Sequence, residues 1–109
     1  CTACRRPRRP TPAQKAWLSA HVKGKLPTTF HGAGCDECGQ SGYRGRTVVS
    51  EIFAVDERVE EMIVQNQSRK VMEDYYNGMG SRFLFSDAIR AVTEGITTLE
   101  EVERVILTR

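Results

Sequence analysis

Apolar residues along this 109-residue chain recur in two rhythms. In the second half they fall three and four apart. Phe85, Ala88, Ile89 and Val92 stand at i, i+3, i+4 and i+7, a helical stripe that stops at Gly95. Ahead of it, Asp56 precedes Val59, Met62 and Ile63, and Ser68 precedes Val71, Met72, Tyr75 and Tyr76. These predict two further helices, each opened by a capping residue, the second closed by Gly78. Thr98-Leu99-Glu100-Glu101 has the form of a capping box and opens a last helix with Leu99, Val102 and Ile106 on one side. Near the start, Thr11-Pro12-Ala13-Gln14 combines a Thr cap, Pro at the first helical position and Gln three residues after the cap. That helix is expected to run to about Val22 with Ala13, Trp17 and Ala20 along one side, ended by Gly24 and Pro27.

The other rhythm has a period of two. Arg46 to Val55 (RTVVSEIFAV) is rich in β-branched residues, roughly alternating, and free of Gly and Pro, so it is the strongest predicted strand. Thr28 to His31 predicts a short strand, and Cys1 to Pro12 a turn with an extended lead. No apolar run is long enough to span a membrane.

The cysteines add the chemistry. All four lie in two C-x-x-C pairs, Cys1-Thr2-Ala3-Cys4 and Cys35-Asp36-Glu37-Cys38. Two intervening residues let both sulfurs of a pair point at one ion, and two pairs supply the tetrahedral shell of a structural Zn²⁺ site. Thirty residues separate the pairs, against about fifteen to twenty in common ribbons; the Trp17 helix would fill that excursion. Five glycines between Gly32 and Gly45 suit a backbone folded tightly around sulfur. Cys1, Cys4, Cys35 and Cys38 are therefore the expected zinc ligands. Disulfides, a thioredoxin-type redox pair and a four-sulfur iron site are the weaker alternatives. Four protein ligands would close the shell, so the metal is expected to be structural. His31 is expected near the site, outside the ligand set.

The fold class expected is α+β. A small zinc-ribbon-like tetracysteine subdomain with a short β-sheet would occupy residues 1–45, and a strand plus a mainly α-helical subdomain residues 46–109. A chain of this length buries about two-thirds of its unfolded surface, so a metal staple would matter to its stability. Sixteen Lys and Arg against fourteen Asp and Glu give +2, which argues against a dedicated nucleic-acid binder. Arg5, Arg6, Arg8 and Arg9 form a basic run, broken by Pro7 and Pro10 and free of interleaved aromatics. It reads as a solvated arm offsetting the charge of four thiolates; contact with acidic lipid, nucleic acid or an acidic partner is the alternative. Glu57, Glu60 and Glu61 read as a solvated helix face. Glu37 and Glu51 have no His, Ser or Lys arranged beside them for acid–base work, so no catalytic residue is expected. Gly24-Lys25 lacks the upstream glycine and the hydroxyl residue of a phosphate-binding loop.

The order C-x-x-C, about thirty residues, then Cys35-Asp36-Glu37-Cys38-Gly39-Gln40-Ser41-Gly42-Tyr43-Arg44-Gly45-Arg46 and Glu51 to Asp56, resembles the C-terminal region of type II secretion and type IV pilus assembly ATPases. Glu94-Gly95-Ile96-Thr97-Thr98-Leu99-Glu100-Glu101-Val102 is equally typical of that family. The resemblance departs at Gly78 to Ile89, where Ser81 to Asp87 replace a Thr-Leu-Arg-Glu-Asp-Gly-like stretch. It implies a parent that is a cytoplasmic homo-hexameric ATPase, peripheral to the inner membrane, powering pilin or pseudopilin assembly. ATP and Mg²⁺ would bind only in a motor domain upstream of Cys1. The implied partners are that motor domain, neighbouring subunits and an inner-membrane platform protein, with no nucleic acid. A first residue that is an expected ligand, with no initiator Met, reads as a piece of such a longer chain. The other functional class is a free-standing zinc-ribbon adaptor binding protein or nucleic acid. A cysteine-rich chaperone-type unit is weaker still, because Gln40 stands where that pattern has glycine.

Overall fold

The computed structural model describes residues 1–79 and 83–107. Part of the departure from the family pattern, at Ser81 and Arg82, lies outside them. The elements run β1 (Arg5–Arg8), α1 (Pro12–His21), β2 (Thr29–Gly32), α2 (Glu57–Val64), α3 (Arg69–Gly78), α4 (Leu84–Thr93) and α5 (Leu99–Val102). α5 continues as a π-helical turn over Glu103–Leu107. The fold is α+β: among the described residues a two-stranded antiparallel sheet and five α-helices, with the four cysteines clustered beside the sheet.

Local chemistry sets most helix starts as the sequence predicts. The Thr11 hydroxyl accepts from Gln14 N–H, and the Gln14 side chain accepts from Thr11 N–H, so the capping box closes in both directions. Asp56 caps α2 through Val59 N–H at 2.9 Å. Thr98 caps α5 through Glu101 N–H at 3.2 Å, while the Glu101 carboxylate pairs with Arg104. Two starts differ. Ser68 occupies the cap position of α3 without a side-chain cap bond, and α4 begins after Phe83 with no local cap. Its Leu84 N–H is taken instead by the Glu51 carboxylate at 3.1 Å, thirty-three residues away.

The main core joins the two halves of the chain. Leu18 of α1, Ala88 and Val92 of α4, and Leu99 and Val102 of α5 bury one another, with Trp17, Val22, Leu26, Val49, Ile89 and Ile106 packed around them. Leu18 is fully buried, whereas Ala13 and Ala20 are exposed, so α1 turns a different side inward from the expected Ala13–Trp17–Ala20 face. Trp17 is half-buried against Phe85, centroids 5.2 Å apart. Outside that cluster, Val59 and Met62 of α2 and Tyr76 of α3 are also buried. Ile63 and Val71, expected in those stripes, stay exposed. The molecule is elongated, 55 × 28 × 22 Å, with a radius of gyration of 17.2 Å, against about 13 Å for a compact chain of this length.

The strand expected over 46–55 is not formed. The sheet contains β1 and β2 alone among the described residues, and 46–55 runs as irregular chain. Propensity supplied the pattern, but a strand exists only when a neighbouring strand satisfies its main-chain groups. The strands that do form lie around the cysteines. β1 pairs with β2 in the register Arg5↔Gly32, Arg6↔His31, Pro7↔Phe30, Arg8↔Thr29. The segment expected as an extended lead is thus a strand, and the Thr28–His31 expectation is met one residue later.

Candidate metal centre

The register of the two strands brings the cysteine pairs together. With Arg5 opposite Gly32, the chain just before β1 and the chain just after β2 lie side by side, and Ala33 N–H donates to Cys4 O at 3.1 Å. Helix α1 fills the long excursion between the pairs, as expected. At the second pair a single 3₁₀ turn, Asp36–Cys38, reverses the chain and ends on Gly39 in the left-handed region. Gly42 sets the closeness of approach. Its φ is +81°, and a Cβ there would lie 2.6 Å from Gly32 O; a Cβ on Gly32 would in turn run into Gly42 O. Only glycine at both positions lets β2 rest directly on the second cysteine loop.

The four Sγ atoms all lie within 4.8 Å of one another. Cys1–Cys35 and Cys4–Cys38 are 3.8 Å apart, and Cys35–Cys38 3.7 Å. A tetrahedron with metal–sulfur bonds of about 2.3 Å has edges of about 3.8 Å. The separations are far longer than a covalent S–S bond of about 2.05 Å, and all four cysteines are free thiols. The donor set therefore fits a four-sulfur metal site in both chemistry and spacing.

Main-chain amides complete the shell. Gly34 N–H points to Cys4 Sγ at 3.3 Å, and Cys35 and Gly42 N–H point to Cys38 Sγ at 3.3 and 3.2 Å. Burial on its own would raise the Cys38 thiol, but the amides of Cys35 and Gly42, together with the Cys35 and Cys4 sulfurs, outweigh it and hold the pKa at about 6. Donors already aimed at sulfur favour the thiolate that metals require. Cys4 is buried and the other three cysteines are half-buried.

His31 stands outside the group of four; its Nδ1 is buried without a hydrogen-bond partner among the described residues. The basic run is only partly a solvated arm. Arg5 Nη1 donates to Gly95 O at 2.9 Å and its guanidinium lies 5.6 Å from the Phe30 ring centre, while Arg8 pairs with Glu100. Two of the four arginines thus tie β1 to the α4–α5 turn, through Gly95, and to α5 itself, through Glu100. Tyr43 does the same from the second cysteine loop, its hydroxyl meeting Thr98 Oγ1 at 2.6 Å. Glu37 pairs with Arg44 in solvent, and the Glu57–Glu60–Glu61 face is exposed. Nothing in the sequence signalled the Tyr43–Thr98 and Arg5–Gly95 contacts, because both partners lie more than fifty residues away.

No helix among the described residues is long and apolar enough to cross a membrane. Residues 1–104 match the family described as "Type II/IV secretion system protein". The chain is 40% identical over 106 residues to type II secretion system protein E of Pseudomonas aeruginosa, covering 96% of this chain and 20% of that protein. It is 31% identical over 105 residues to type II secretion system ATPase E of Vibrio cholerae, covering 96% and 20%. To the type IV pilus assembly ATPase PilB of Thermus thermophilus it is 36% identical over 73 residues, covering 67% and 8%. The chain thus spans a fifth or less of the length of these relatives. On the match across residues 1–104, and on the agreement of its tetracysteine geometry with the motifs that suggested the resemblance, the chain belongs to the type II/IV secretion system protein family.

Proposed function

We propose that Cys1, Cys4, Cys35 and Cys38 hold one structural zinc ion, and that the chain is the zinc-bearing structural and coupling module of an ATPase that powers type II secretion or type IV pilus assembly. The observation that carries this reading is the convergence of four sulfurs within 4.8 Å of one another, three of their six separations at 3.7 to 3.8 Å. A zinc ion in that shell would cross-link the two cysteine loops and leave no coordination position for substrate. Its role is to fix β1, β2 and the second cysteine loop as one body. Arg5, Arg8 and Tyr43 then carry that rigidity into α4 and α5 through Gly95, Glu100 and Thr98. A metal-clamped body joined to a helical body at three points is suited to passing movement between them.

The division near residue 45 belongs to the same proposal as a division of labour, with the metal in 1–45 and helical packing in 46–109, although Leu18 contributes to the shared core. The nucleotide and Mg²⁺ would be handled by the portion of the longer protein outside this chain. That protein would work in the cytoplasm at the inner membrane as a homo-hexamer, its partners being its own motor domain, neighbouring subunits and a membrane platform protein. Two relatives are named as ATPases, which supports this reading of the whole.

The test is made in the full-length protein. Arg5→Ala combined with Tyr43→Phe is expected to leave zinc content and nucleotide hydrolysis intact and to reduce secretion or pilus assembly on the order of tenfold. Unchanged assembly would remove the coupling role. A full-length coding sequence without a phosphate-binding loop would remove the motor.

A further inference from the structure

Residues 46–55 are irregular by pairing, yet between Val48 and Ala54 the contacts they make alternate with a period of two, a pattern that ends at the exposed Val55. Val49 packs on the main core, the Glu51 carboxylate receives Leu84 N–H, and the Phe53 ring meets Tyr76 and Phe83 at 4.7 and 5.7 Å. The intervening Val48 and Ile52 are bare, 78% and 77% exposed. The main chain follows the same alternation. Ser50 N–H donates to the Asp87 carboxylate at 3.0 Å, and Ala54 O accepts from the Tyr76 hydroxyl at 2.6 Å. Positions an even number of residues apart present their N–H and C=O groups to the same edge of a strand. One edge is therefore occupied by side chains of α3 and α4, and the groups of Val49, Glu51 and Phe53 belong to the opposite edge.

We infer that 46–55 is a strand awaiting its neighbour, and that this neighbour is an edge strand from the part of the same polypeptide lying outside these 109 residues. Three observations favour that occupant. The relatives carry about four-fifths of their length outside the matched region. The molecule is much less compact than a self-sufficient chain of its size. The segment also carries apolar residues on both faces, Val49, Phe53 and Val55 on one and Val48, Ile52 and Ala54 on the other, beside the polar Glu51 and Ser50. That composition fits a strand covered on both sides better than a solvated hairpin. The reciprocal clasp, Ser50 N–H to Asp87 and Leu84 N–H to Glu51, holds the segment in place for pairing. The partner strand would be β-branched or aromatic on the face that continues Val48 and Ile52.

The inference rests on the reading of this chain as part of a longer protein, and residue-resolved amide hydrogen exchange on that full-length protein tests it. The Val49, Glu51 and Phe53 amides are expected to exchange on the order of 100-fold more slowly than unstructured peptide. Free exchange at all three would overturn the inference. Protection that appears only as concentration rises would assign the edge to a second copy of the chain, and would overturn it equally. If metal analysis finds no zinc while these amides are slow, the proposed function fails and the strand stands; zinc present with free exchange is the reverse.

Discussion

The tetracysteine loops and the 46–55 segment both lack α-helix and are both flanked by charged residues, yet only the cysteine cluster finds its partners within the chain. At the cysteines the sulfurs find their partners within the chain: sulfur faces sulfur, amides face sulfur, and Gly32 and Gly42 let two backbones touch. At 46–55 one side is equally well furnished, with Asp87, Glu51 and Tyr76 in place, while Val48, Ile52 and Val55 are uncovered. A site whose donors sit a few residues apart closes by itself. A strand needs a partner of its own kind, and this chain does not supply one among the described residues.

The largest effect that can separate the two regions is loss of a sulfur. Cys4→Ser removes a buried member of the cluster. Zinc in a structural site contributes on the order of 10 kcal/mol, comparable with the whole stability of a small domain. The variant is expected to lose bound metal and cooperative thermal unfolding together, read by circular dichroism. A melt like that of the parent chain would show that the fold does not depend on the site.

A smaller effect separates the main core from the bare face. Leu18→Ala is expected to cost about 3 kcal/mol in urea unfolding, because a fully buried side chain leaves a cavity shared by α1, α4 and α5. Ile52→Ala in the same chain is expected to stay within about 0.5 kcal/mol. Equal costs would break the contrast, since Ile52 would then be covered within this chain.

The smallest effect belongs to the α2–α3 pair. The Tyr75 hydroxyl, at 2.5 Å, and then Val59 N–H donate to Asp56 and hold its carboxyl below the ordinary carboxylate range. A depressed folded pKa stabilises above the unfolded value of about 4 and stops doing so as pH falls through the folded value. The same bond raises Tyr75, so at the alkaline end its contribution is lost as pH rises through that raised value. Asp56→Asn is therefore expected to flatten the fall of the melting temperature as pH drops below about 4, by on the order of a degree or two, as for the usual exposed pair. An unchanged acid slope would assign that dependence to other carboxylates.

What could be read from the sequence follows the same line. The cysteine spacing, the Thr11, Asp56 and Thr98 caps and the α4 stripe were all legible, because each depends on residues within one or two turns. The inward face of α1 was not. Leu18 rather than Ala13 and Ala20 is buried, a choice made by α4 and α5 some seventy residues on. The start of α4 was equally hidden, since its cap is Glu51, thirty-three residues upstream. Half of the arginine run proved to be bracing, for the carbonyl of Gly95 and the carboxylate of Glu100 give no local sign of their targets. The strand over 46–55 was read from a real alternation whose second half lies elsewhere.

Zinc K-edge X-ray absorption on the purified protein, with metal content measured on the same sample, tests the four-sulfur claim most directly. One zinc per chain with four sulfur scatterers at about 2.3 Å is the expected result. A metal-free protein, or a shell in which nitrogen replaces one of the sulfurs, would contradict it.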